Sequence, residues 1–266
     1  MGLKLFQIDA FTKEPFAGNP AAVCLLEEER DSAWMQNLAA EMNLSETAFV
    51  RPLGGDRWSL RWFTPTVEVP LCGHATLATA HALMGELGHK GPLRFETKSG
   101  ELRCEATDDG RISLDFPAVS VKSMIIPEQM ERALGGVRPI TASKGHGSEP
   151  VIISEVADVE ELLSIRPFYQ LIADSPWGEL FIVTCEGKGD YDFHSRVFAP
   201  KCGIPEDPVT GSAHCALATY WAKRLGKNDL YARQESKRGG DLWLTLKGDR
   251  VIILGHAVTV FEGELR

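Results

Sequence analysis

The chain has 266 residues, with 28 lysines and arginines against 37 aspartates and glutamates, a formal net charge of −9 and a pI of about 5.3. An apolar share of 44% supplies a sizeable core and excludes whole-chain disorder, and the length fits one large domain or two small ones. The negative balance excludes a surface built for nucleic acid or anionic lipid, both of which need dense Lys and Arg, but leaves room for a small anion in one local pocket.

Along the chain, Phe6, Ile8 and Ala10 alternate with Gln7 and Asp9, so Leu3 to Phe11 reads as a strand. Residues 1–20 lack the order of a signal peptide, and no run of about 18 apolar residues offers a membrane span. Phe16-Ala-Gly18-Asn19-Pro20 is a turn cluster before a strand over Ala21–Leu26. Asp31 is suited to cap a helix carrying Trp34, Met35, Leu38, Ala39 and Met42, and Asn43 suits its end. Thr47–Arg51 and Trp58–Phe63 read as strands about a Gly54-Gly55-Asp56 turn. From Gly73 to Leu87 the residues are small or apolar nearly all round, which predicts a buried helix. Hairpin strands follow at Leu93–Thr97, Glu101–Ala106 and Arg111–Asp115, and amphipathic pieces at Pro127–Leu134 and Val156–Ile165.

An internal repeat organises these elements. Arg61-Trp-Phe63-Thr-Pro65 recurs as Arg196-Val-Phe198-Ala-Pro200, 135 residues on. Glu68, Pro70, Gly73, Ala75, Ala78, Ala80 and Leu87-Gly88 match Glu206, Pro208, Gly211, Ala213, Ala216, Ala218 and Leu225-Gly226 at an offset of 138. The second copy therefore carries three extra residues within Lys201–Pro205. Two similar halves follow, 1–118 and 119–266, each a buried helix wrapped by mostly antiparallel strands, an α+β architecture.

Each repeated helix opens on a glycine, Gly73 or Gly211. A helix N-terminus presents N–H groups and partial positive charge to a carboxylate or phosphate, so two such ends pointing into one cleft would hold a small anion. Glycine there equally serves close packing. Titratable side chains cluster nearby: Cys72 and His74 flank Gly73, and Glu206, Asp207, Ser212 and His214 lie near Gly211. Asp207 fits either a site or a helix-entry cap. Glu46, between a helix and an apolar strand, is either solvated or buried, and a buried carboxyl suits acid–base chemistry. The six cysteines are scattered without a CxxC pair and read as reduced thiols of a cytoplasmic protein. No metal site is expected: the tightest Cys/His groupings, Cys72-Gly-His74 and His214-Cys215, would diverge on a helix. Dinucleotide, P-loop and GxSxG signatures are missing, so Gly211-Ser212-Ala is no nucleophile elbow.

Ile8-Asp-Ala-Phe11, Phe16-Ala-Gly-Asn19-Pro-Ala-Ala-Val23, Asn43-Leu-Ser45-Glu46-Thr-Ala-Phe-Val50, Phe63-Thr-Pro65, Leu71-Cys72-Gly73-His74-Ala-Thr76 and Glu206-Asp207-Pro-Val-Thr-Gly211-Ser212-Ala213 together resemble the phenazine-biosynthesis isomerase-like (PhzF-like) family. The resemblance implies a diaminopimelate-epimerase-like fold with two pseudo-symmetric halves, each a rolled sheet about a central helix. It also implies proton transfer without a cofactor on a small carboxylated substrate, and a homodimer. Carried over by motif, Glu46, His74 and Asp207 are the catalytic residues. Gly73, Gly211 and Ser212 would contact substrate, and Asn19 and Ser45 would support the site. Cys72 departs from the isomerase pattern. In related epimerases a thiol there is one of an acid–base pair, but the stretch before Gly211 has no second cysteine. An epimerase using Cys72 and a non-catalytic metabolite-binding protein remain the alternatives.

Overall fold

The computed structural model describes residues 2–147 and 150–266. It separates into two compact units, Met1–Asp115 with Ile253–Arg266, and Phe116–Ile252. The first runs through β1 (Leu3–Ala10), β2 (Asn19–Leu25), α1 (Ser32–Met42), β3 (Glu46–Gly54), β4 (Arg57–Phe63), β5 (Glu68–Val69), α2 (Gly73–His81), β6 (Leu93–Thr97), β7 (Gly100–Ala106) and β8 (Ile112–Pro117). The second holds β9 (Ser120–Met124), α3 (Gln129–Ala133), β10 (Thr141–His146), β11 (Pro150–Glu155), α4 (Val159–Ser164), α5 (Tyr169–Ala173), β12 (Leu180–Glu186), β13 (Phe193–Ala199), β14 (Ile204–Asp207), α6 (Gly211–Leu225), β15 (Asp229–Gln234), β16 (Gly240–Lys247) and β17 (Arg250–Gly255). The last strand, β18 (Ala257–Leu265), returns to the first unit and pairs antiparallel with β1.

The repeat is visible in the pairing. In the first unit the order is β18–β1–β2–β3–β4–β6–β7–β8, antiparallel except for β2 with β3 and β4 with β6, and β5 is a short flap on β4. In the second unit β9–β10–β11–β12–β13–β15–β16 follows the same order. Its parallel pairs, β11 with β12 and β13 with β15, sit at the corresponding steps, and β14 is the flap on β13. The stretch that carries the three extra residues of the second copy begins in a 3-10 turn, Pro200–Cys202, closed by Gly203 with φ 80°. A left-handed residue there costs glycine nothing. The repeat placed residues 253–266 with the second half. The structure corrects this, because β1 takes its outer partner from that segment.

Both sheet faces are covered, which explains strands such as β12 and β13 that are buried at nearly every position. On one face of the first sheet α2 packs against β1, β2, β3 and β18. On the other, Met35, Leu38 and Ala39 of α1 meet Leu5, Ala22, Cys24 and Phe49. In the second unit α6 packs on β9, β11, β15 and β16, while α3, α4 and α5 cover the opposite face through Met130, Leu162 and Ile172. Every residue of α2 from Gly73 to Ala80 is buried, as its all-round apolar sequence predicts. Thr76 and Thr79 are accommodated because their hydroxyls donate to the carbonyls of Cys72 and Ala75, four residues back. No helix among the described residues is long and apolar enough to cross a membrane.

Candidate active site

In the first unit three chain ends converge. Asp31 caps α1 by accepting the Trp34 N–H at 2.8 Å. At its other end Asn43, left-handed at φ 50° and ψ 36°, stops the helix with its N–H on Ala39 O. The chain then enters β3 directly at Glu46, which pairs in parallel with Ala21 of β2. Asn19 opens β2 and is fully buried. Gly18 before it has φ 63°, and a Cβ there would stand 2.1 Å from Ala10 O, so only glycine lets β2 start at this point. Cys72 is the N-cap of α2 in extended backbone, φ −147° and ψ 112°, and His74 lies in the first turn.

These residues form one hydrogen-bonded set. Ser45 Oγ donates to Asn19 Oδ1 at 3.5 Å, and Asn19 Nδ2 donates to His74 Nδ1 at 3.1 Å. With Nδ1 accepting, the neutral ring carries its proton on Nε2. That nitrogen lies 3.1 Å from Glu46 Oε2, and Cys72 Sγ lies 3.5 Å from His74 Nδ1. The approach of Nε2 to Oε2 is close without being aligned as a hydrogen bond: Oε2 is shut from solvent and has no partner of hydrogen-bond geometry. Asn19, Ser45, Glu46, Cys72 and His74 are thus brought together. The expectation that Cys72 and His74 diverge fails, because helical spacing does not apply to an N-cap outside the helix. Glu46, Cys72 and His74 each present one ligand atom within 4.8 Å of the others.

The second unit builds the repeated position differently. Asp207, 8% exposed, ends β14, and its Oδ2 accepts the Thr210 hydroxyl at 2.5 Å. Gln234 of β15 locks the turn: Nε2 donates to Asp207 O at 2.7 Å, and Oε1 accepts the Thr210 N–H at 2.9 Å. Gly211 and Ser212 then open α6. Thr210 stands where the offset of 138 places the counterpart of Cys72. The repeat therefore pointed to Thr210, whereas Gln234 carries no sequence signal because its role arises only through strand pairing. Glu206 is taken up in a bidentate ion pair with Arg196, at 2.7 and 3.0 Å. His214 is fully buried. Its Nδ1–H donates to Thr210 O at 2.8 Å, and burial pushes its pKa down to about 4. None of the six cysteines is joined in a disulfide. Burial pushes the Cys24, Cys185 and Cys215 thiols up to about 12, making them packing residues rather than nucleophiles.

Known proteins agree with this architecture. A Pseudomonas aeruginosa protein named an uncharacterized isomerase is 46% identical over 100% of this chain and 99% of its own. A PhzF-family crystal structure from Enterococcus faecalis superposes with a TM-score of 0.94 at 41% identity, covering 100% of both chains. A probable proline racemase from Agrobacterium radiobacter K84 gives a TM-score of 0.67 at 12% identity over 99% of this chain and 93% of its own, a likeness of fold. The fold and these relatives define the chain as an enzyme of the isomerase class. It belongs to the phenazine biosynthesis-like family (PhzC-PhzF), whose model matches residues 8–263.

Proposed function

We propose that this isomerase works without a cofactor and moves a proton on a small carboxylated metabolite, amino-bearing or cyclic, with Glu46 as the acid–base group. The observation that supports this reading is the state of Glu46 Oε2: a carboxylate oxygen shut from solvent, without an aligned donor, beside an imidazole of defined tautomer. A lone pair so placed is free to accept a proton from a substrate carbon, and the same carboxyl can return it at a neighbouring carbon. His74, neutral and bearing its proton on Nε2, acts as the hydrogen-bond donor that steadies the charge developing on substrate. Asn19 and Ser45 position the ring. The first-turn N–H groups beginning at Gly73 receive the substrate carboxylate. Asp207 is assigned as the second titratable group, with Gly211 and Ser212 as further substrate contacts.

The test begins with a thermal-shift screen of small amino and hydroxy carboxylates, since a ligand of the folded state raises Tm by mass action. Stabilising compounds are then incubated in D2O. The wild-type chain is expected to place deuterium on carbon, and Glu46→Gln to slow this by about 10²- to 10⁴-fold. Unchanged exchange in Glu46→Gln removes Glu46 as the base. No exchange by the wild type with any stabilising ligand favours a metabolite-binding protein instead. An epimerase using Cys72 is the second reading, favoured by the thiol lying against His74. The counterpart of a second thiol is Thr210, whose hydroxyl proton is given to Asp207. Full activity in Cys72→Ser removes that reading.

A further inference from the structure

We propose that Glu46, Cys72 and His74 form a three-ligand site for Zn2+. The donor set is a thiol sulfur, an imidazole nitrogen and a carboxylate oxygen, the three ligand types of zinc sites. Cys72 Sγ lies 4.0 Å from His74 Nε2, Nε2 lies 3.1 Å from Glu46 Oε2, and one atom from each residue falls within 4.8 Å of the others. Bonds of about 2.0–2.3 Å to a tetrahedral ion hold ligand atoms about 3.3–3.8 Å apart, so closing the cage requires Cys72 Sγ, which stands nearer Nδ1 at 3.5 Å than Nε2 at 4.0 Å, to rotate about its Cα–Cβ bond toward the Nε2 side. All three side chains are largely buried, Cys72 at 6% exposed, His74 at 4% and the Glu46 side chain at 12%. Glu46 Oε2 has no aligned hydrogen bond to give up.

Charge balance favours the ion. A thiolate and a carboxylate offset Zn2+ fully, so the occupied cage is neutral where a bare cation would be costly to bury. On binding, the Cys72 S–H bond breaks, an S–Zn bond forms and the thiol proton leaves to solvent, with no change of oxidation state. Coordination through Nε2 moves the ring proton to Nδ1. The Asn19 carboxamide then presents its oxygen there, and Ser45 Oγ accepts from Asn19 Nδ2 instead of donating; both groups can serve in either sense. The first-unit cluster is thereby complete without the second unit. That a bound ion silences proton transfer by occupying Glu46 rests on the isomerase reading above.

Co2+ added to the metal-free full-length chain tests the site. One equivalent is expected to give a near-ultraviolet thiolate-to-cobalt absorption band that Zn2+ abolishes by displacement. The band is expected to vanish in Cys72→Ser and to persist in Cys202→Ser, which removes the exposed thiol. Glu46→Gln should weaken Co2+ binding on the order of tenfold or more. No band in the wild type, or a band surviving Cys72→Ser, overturns the proposal. If Cys72→Ser does not fold, alkylation of wild-type Cys72 followed by mass spectrometry decides instead. Protection by Zn2+ supports the site, and an unchanged alkylation rate overturns it.

Discussion

His214 sits fully buried in the first turn of α6, stacked on Phe193 at 5.9 Å, with Nδ1–H on Thr210 O and Nε2 without a partner. Burial holds its pKa at about 4, against 6.5 for a free imidazole, with the Thr210 carbonyl opposing that drop. Between these values the unfolded chain binds a proton that the folded chain refuses, so stability is lost as pH falls through 6.5 toward 4. From pH 7.5 to 5 this amounts to about 2 kcal/mol. Urea denaturation at the two pH values is expected to show that loss in the wild type and to show it smaller by this amount in His214→Gln. Equal losses in both would mean that His214 titrates normally. The offset of 138 makes Thr76 its counterpart, and the two side chains perform the same act by different chemistry, each donating to the carbonyl of the N-cap four residues back. Such an equivalence was not legible in the sequence, where a hydroxyl and an imidazole share no pattern. Nor was the meeting of Cys72 and His74, since the backbone turns between an extended N-cap and a helix, and periodicity describes only one side of that turn.

At the scale of elements, the repeat in the sequence proves to be a repeated physical unit. Arg61 on β4 lies over the Phe63 ring at 5.1 Å and makes a bidentate pair with Glu68 of β5. Arg196 on β13 lies over Phe198 at 5.0 Å and pairs likewise with Glu206 of β14. Each arginine thereby fastens the flap that leads into a central helix, so Arg-x-Phe and the following Glu are legible as a motif because spacing and chemistry travel together. The copies differ in burial. The Arg196 side chain is 10% exposed and also donates to Leu162 O and Ile165 O, tying α4 to β13. The Arg61 side chain is 23% exposed, and Glu68 keeps Lys98 as a second cation. Arg196→Met, which leaves the half-buried Glu206 carboxylate and the Leu162 and Ile165 carbonyls without their donor, is expected to cost about 2–4 kcal/mol. Arg61→Met is expected to cost about 1–2 kcal/mol. Urea unfolding midpoints read the difference, and equal costs would show that the tether to α4 contributes nothing.

At the scale of the whole molecule, each repeat ends on a strand that flanks the opening strand of a repeat: β9 pairs with β10, and β18 pairs with β1. Neither strand was legible in the sequence, and even an alternating pattern names no partner, because strand pairing is nonlocal. The change of unit falls between Asp115 and Phe116, and that residues 253–266 belong with the first unit was illegible for this reason. Removing residues 257–266 would strip β1 of its partner from Leu3 to Ala10 and expose an apolar strand edge next to β2. An uncovered edge of that length recruits other chains. The truncated chain is therefore expected to aggregate and to lose amide-exchange protection along β1. A circular permutant separates lost pairing from lost length. Leu3 lies opposite Leu265, so the two ends are neighbours and a short Asn-Gly turn can join β18 to β1 as a hairpin, with the chain reopened after His256. That permutant keeps every residue and the antiparallel register, and it is expected to stay soluble with β1 protected. A truncated chain that retains β1 protection would show instead that β2 and α2 alone hold the strand in place.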